Sequence, residues 1–125
     1  MATIEKGRDV LTLINVFTVE PAQQQQLVKL LVNATNETMR HLPGFVSANI
    51  HRSVDGKRGV NYAQWESKAA FEAVLKNPRA IPHMQAAAAL ARFEPIVCEM
   101  VETIGGEKIA DQWRRQTPSG NGTCD

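Results

Sequence analysis

Apolar and polar side chains alternate along residues 10–19. Leu11, Leu13, Asn15, Phe17 and Val19 fall on one side of an extended chain, and Val10, Thr12, Ile14, Val16 and Thr18 on the other, because successive strand side chains point to opposite faces. Both sides are largely apolar, so a first strand covered on both faces is expected. At Glu20-Pro21, where proline suits a first helical turn, the period changes. Leu27, Leu30, Leu31 and Ala34 recur at helical spacing, which predicts a helix to about Arg40, stopped by His41-Leu42-Pro43-Gly44. Residues 45–52 alternate again, with Phe45, Ser47, Asn49 and His51 opposite Val46, Ala48, Ile50 and Arg52. Asp55-Gly56 signals a hairpin turn, and residues 59–66 read as the partner strand. Ser67 is the expected N-cap of a helix through Lys76 that buries Ala70, Phe71, Val74 and Leu75. Asn77-Pro78 breaks it, and a further helix to Ala91 carries Ile81, Met84, Ala87, Ala88 and Leu90. Residues 93–103 form the last expected strand, with Pro95 marking a strand edge or end.

The resulting order, β-α-β-β-α-(α)-β, is the split βαβ arrangement of a ferredoxin-like α+β fold, a four-stranded antiparallel sheet with helices on one face. A chain of 125 residues fits one such domain over residues 1–104. Gly105-Gly106 reads as a hinge into a tail, residues 105–125. That tail is expected to hold a short helix over 107–115, with Ile109 and Trp113 on one side, and then a Pro-, Ser- and Gly-rich disordered end. The sheet face away from the helices, with Val10, Ile14, Val16, Val46 and Ile50 assigned to it, predicts a homodimer packed sheet against sheet. A net charge of +1 without a basic run argues against a nucleic-acid surface. No apolar run is long enough to span a membrane, and residues 1–9 lack a signal-peptide core, so a cytoplasmic protein is expected. Cys98 and Cys124 sit in unlike contexts and read as free thiols without metal-ligand spacing.

The third strand carries the chemistry. Asn61, Ala63 and Trp65 share one side, a carboxamide and an indole separated by a residue small enough to leave room between them. A buried carboxamide must be hydrogen-bonded or face a cavity where a ligand or water satisfies it. Asn15, alone and polar in the apolar face of strand one, poses the same alternative. His51 at the hairpin end and His83 early on the last helix are the candidate bases, with Met84 beside the latter.

Three pieces, Leu13-Ile14-Asn15-Val16-Phe17, Leu42-Pro43-Gly44-Phe45 and residues 61–67 followed by Ala70-Phe71, resemble the antibiotic biosynthesis monooxygenase family over residues 10–103. The likeness is strongest to its cofactor-independent anthrone oxygenases of aromatic polyketide pathways, of the tetracenomycin, nogalamycin and actinorhodin type. The resemblance implies a dimeric α/β barrel acting on a small aromatic substrate and O2, with no cofactor, metal, nucleic acid or membrane. In those enzymes an asparagine and a tryptophan four residues apart on strand three serve the reaction, which Asn61 and Trp65 match; Asn15 matches a strand-one asparagine of some members. The implied catalytic set is therefore Asn15, Asn61 and Trp65, with Phe17, Asn49, Phe71, His83 and Met84 as substrate contacts. A tyrosine used by one branch has no counterpart, because Phe71 stands in its place.

Such a reaction removes a proton from an anthrone methylene, passes an electron from the enolate to O2 and collapses a hydroperoxide to a quinone. Amide donors of Asn15 and Asn61 would stabilise the enolate oxygen. Trp65 would supply a flat face and an N–H. Two other expectations use the same residues. One is a haem-binding or haem-degrading protein with His83 as ligand, although the helix after strand three lacks the tryptophan of that branch. The other is a non-enzymatic small-molecule-binding dimer, with the two carboxamides bonded across strands and Trp65 in the core.

Overall fold

The computed structural model describes residues 10–107. They fold as β1 (Leu11–Thr18), a 3-10 turn (Pro21–Gln23), α1 (Gln24–Glu37), a second 3-10 turn (Met39–His41), β2 (Phe45–Arg52), β3 (Arg58–Trp65), α2 (Lys68–Leu75), α3 (Ile81–Leu90) and β4 (Arg92–Glu99). The four strands form one antiparallel sheet in the order β2-β3-β1-β4. This is the expected ferredoxin-like topology. The short helix and tail expected beyond residue 107 lie outside the described residues, as does Cys124; Cys98 is a free thiol.

Local chemistry sets the element ends. Ser67 is extended, and its Oγ accepts a hydrogen bond from the Ala70 N–H at 3.1 Å, which starts α2 where the sequence predicts. At the start of α1, Gln24 Nε2 donates to Ser53 O (3.0 Å) and Arg58 O (2.9 Å), tying the helix to the hairpin end. Thr38, at φ −130°, closes α1 short of the expected Arg40, and the chain continues as the tighter turn. The last strand is shorter than expected and ends at Glu99.

One face of the sheet carries the helices. Leu27 and Leu31 of α1 are buried there with Phe17, Ala34 is buried on the same helix, and Val74 of α2 and Ala80 are buried with Leu11 and Trp65. The expected alternation of β2 needs correction at its start. The pairing with β3 shifts register between Phe45 and Ser47, so Val46 is the extra residue of a bulge. Phe45 thereby joins Ala48 and Ile50 on the helix side. Ile50 packs on the core and does not belong to the outer face. Asn49 pairs with Tyr62 on the outer face, where its Nδ2 donates to Tyr62 O at 3.3 Å.

Candidate functional site

A cavity of about 290 Å³ lies between the helix side of the sheet and the three helices, near the lower end of the range for small-molecule sites. Its floor follows from the strand register. Asn15 sits directly opposite Asn61, Leu13 opposite Ala63, and Leu11 opposite Trp65. On the other flank β4 places Phe93, Pro95 and Val97 beside Phe17, Asn15 and Leu13. The helices close the far wall with Leu31 and Thr35 of α1, Phe71 and Val74 of α2, and His83, Met84 and Ala87 of α3. Phe93 and Val97 keep 46% and 52% of their surface exposed although they line the cavity, and Leu75 keeps 48%. These residues mark its mouth.

The wall is apolar with a few polar groups, and among the described residues no Asp, Glu, Lys or Arg lines it. Thr35 spends its hydroxyl inside its own helix, donating to Leu31 O at 2.8 Å. The Oδ1 atoms of Asn15 and Asn61 are buried without any hydrogen-bond partner, and an unsatisfied buried acceptor costs about 1–3 kcal/mol. The two residues stand directly opposite each other across β1 and β3, and both line the cavity together with Ala63. They are therefore not carboxamides satisfied within a core. A half-turn of either amide offers an N–H donor at the same place, so the pair can accept from a phenol or donate to an oxyanion. Trp65 is 4% exposed, and its ring meets Phe45 edge to face at 5.4 Å and 88°, a favourable aromatic geometry that fixes the indole plane.

The structure brings Asn15, Phe17, Asn61, Trp65, Phe71, His83 and Met84 to one cavity. It does not bring Asn49 there, because the bulge after Phe45 sends that side chain to the other face. His51 pairs with Val60 on that same outer face and is exposed, and His41 is exposed in the second 3-10 turn. The expectation also missed Thr38, which is 7% exposed and holds its Oγ1 2.9 Å from Nε2 of His83. Thr38 lies seven residues after Leu31 and four after Ala34, so the helical stripe of α1 places it on the buried side without revealing its partner.

The protein-family model described as antibiotic biosynthesis monooxygenase matches residues 10–90. Tetracenomycin-F1 monooxygenase of Streptomyces glaucescens is 47% identical over 105 residues, which cover 84% of this chain and 94% of that protein. Among solved structures, a monooxygenase from the gene ActVA-Orf6 of Streptomyces coelicolor, in complex with nanaomycin D, is 32% identical. The match covers 78% of this chain and 92% of that one, with a TM-score of 0.70. A mutant of SnoaB, a cofactor-independent oxygenase from Streptomyces nogalater, is 28% identical over 78% of this chain and 99% of that one, with a TM-score of 0.69.

Proposed function

The chain belongs to the antibiotic biosynthesis monooxygenase family and is an oxidoreductase, and from that premise we propose that it oxidises a polycyclic aromatic phenol or anthrone to a quinone with O2 and no cofactor. The observation that carries this reading is the pair of buried, unpartnered Oδ1 atoms of Asn15 and Asn61 in an otherwise apolar cavity. A planar polycycle fills such a space by hydrophobic contact. Its phenol or carbonyl oxygen meets the two carboxamides. When the substrate loses a proton, the charge gathers on that oxygen in a site shielded from water, where fixed amide dipoles stabilise it without reorganising. The resulting anion is electron-rich enough to reduce O2 itself. Trp65, held by Phe45, gives the ring system a flat wall. The named activities of the relatives, a tetracenomycin monooxygenase and a cofactor-independent oxygenase, support the same chemistry. The active form in this reading is a cytoplasmic homodimer.

The test is turnover of dithranol under air by metal-free protein, with quinone absorbance and oxygen uptake recorded together. One O2 consumed per quinone is expected. Asn15→Ala and Asn61→Ala should each lower kcat by about 10²–10³-fold, the usual effect of one oxyanion donor, and Trp65→Phe should mainly raise KM. Binding without oxygen uptake would mean a carrier. Nε2 of His83 is engaged by Thr38, so haem iron would have to displace that contact or use Nδ1 beside the ring's attachment; a Soret shift on haem titration that is lost in His83→Ala would reverse this assignment.

A further inference from the structure

Carboxamides stabilise an anion but do not make one, since neither is a base. Of the three histidines in the chain, only His83 lines the cavity. It is also the sole residue of the cavity wall, among the described residues, whose side chain carries a basic nitrogen. Its ring is not free to turn, because Nε2 lies 2.9 Å from Oγ1 of Thr38, a hydroxyl that is itself buried at the end of α1. The contact is compatible with either tautomer; with the hydroxyl accepting from Nε2–H, the imidazole is held with its lone pair on Nδ1. We propose that His83 is the proton acceptor of the reaction, through Nδ1, and that Thr38 is its positioning residue. This rests on the oxygenase reading above and supplies the step that reading leaves without an agent.

The balance closes without any further reactant. The Nδ1 lone pair takes a proton from the acidic methylene, and the electron pair of the broken C–H bond moves onto the oxygen held by Asn15 and Asn61. The anion adds O2 by electron transfer and recombination at carbon, giving a peroxide anion. The imidazolium returns its proton to that anion, and the neutral hydroperoxide loses water as the carbonyl forms. One O2 is consumed, one water leaves, and His83 ends as it began.

Proton abstraction can be read separately from oxidation. Under strict exclusion of oxygen, in D2O, the protein should accelerate exchange of the dithranol methylene hydrogens for deuterium, followed by mass spectrometry against a protein-free control. His83→Ala should lower both this exchange and aerobic kcat by about 10²–10⁴-fold, the usual contribution of a general base, while dithranol still binds. Free imidazole should restore part of both. Thr38→Val should lower exchange with binding retained, and Thr38→Ser, which keeps the hydroxyl, should restore it. Exchange and kcat unchanged in His83→Ala would overturn the proposal while leaving the oxygenase reading intact. Aerobic turnover by the unaltered protein without anaerobic exchange would overturn it as well. No turnover and no exchange by the unaltered protein would remove the oxygenase reading, and the base assignment with it.

Discussion

Asn15 and Asn61 are poor choices for a stable core. Each leaves a buried carbonyl oxygen unpartnered, and leucine has the same branched heavy-atom skeleton, though a larger volume, without the polar atoms. The structure carries a stability cost at these two positions that a ligand or water in the cavity would relieve. Asn61→Leu should therefore unfold at an equal or higher temperature than the unaltered protein while losing nearly all oxidase activity. The expected gain is about 1–3 kcal/mol from removing the unsatisfied group, less any misfit of the branched side chain. Thermal denaturation with and without dithranol checks this. Ligand should stabilise the unaltered protein far more than the variant, and a large fall in melting temperature for Asn61→Leu would show instead that the amide is structural. The residue scale is also where the sequence was most informative. A period of two places Asn61 and Trp65 on one side whatever the rest of the chain does, whereas the position of Asn15 opposite Asn61 comes from the pairing register of β1 and β3. Thr38 escaped because its role depends on a partner 45 residues away, and no local pattern encodes that distance.

Element by element, strands and caps were legible and irregularities were not. Ser67 and Asp55-Gly56 fixed a helix start and a turn because each acts on backbone groups within three residues. The bulge at Val46 arises from pairing between strands, so the strict alternation of residues 45–52 put Asn49 and Ile50 on the wrong sides. The alanine-rich α3 gives no apolar stripe to orient it, and its face toward the cavity is set by packing. Two predictions belong here. Gly44, at φ +85°, joins the second 3-10 turn to β2, and a Cβ there would overlap the Cβ of Ala70. Its carbonyl also accepts from the Glu66 N–H at 2.7 Å. Gly44→Ala combines left-handed strain with overpacking and should destabilise by roughly 2–4 kcal/mol, measured by urea unfolding. In the hairpin, the Ser53 hydroxyl and then the Lys57 N–H hold the Asp55 carboxyl below its ordinary value of 3.8. The folded state thus binds fewer protons at this site. Its contribution is present above the unfolded pKa and is lost as pH falls through the folded one. The melting-temperature gap between the unaltered protein and Asp55→Asn should close on acidification; a gap that persists at pH 2–3 would mean the charge is not its source.

At the scale of the whole molecule, the described helices α1, α2 and α3 cover one side of the sheet. On the other side Ile96, Ile14 and Tyr62 stand in one row across β4, β1 and β3, and Val16 and Val60 sit beside them. Ile96 is 45% exposed. The same face buries Gln64, whose Oε1 accepts from the Ser47 hydroxyl at 3.2 Å while its Nε2 has no partner, and Thr12 Oγ1 is likewise unpartnered. An apolar row beside buried polar atoms suits a self-complementary contact, because a two-fold axis through the sheet brings the same row and the same groups from each copy together. This is the homodimer proposed for the active protein. It differs from the sequence expectation in composition, since Ile50 lies on the helix side and leaves β1, β3 and β4 to supply the contact. Ile14→Asp and Ile96→Asp would each place a charge in the middle of the interface and should convert the protein to a monomer by light scattering after gel filtration. The floor of the cavity is the opposite side of the same strands, so its stiffness depends on that backing. Loss of the dimer should therefore lower kcat together with the protection of β1 and β3 amides from hydrogen exchange. A protein that is monomeric before mutation, or an Ile96→Asp monomer with full activity and unchanged protection, would show that the four strands hold the site without a second copy.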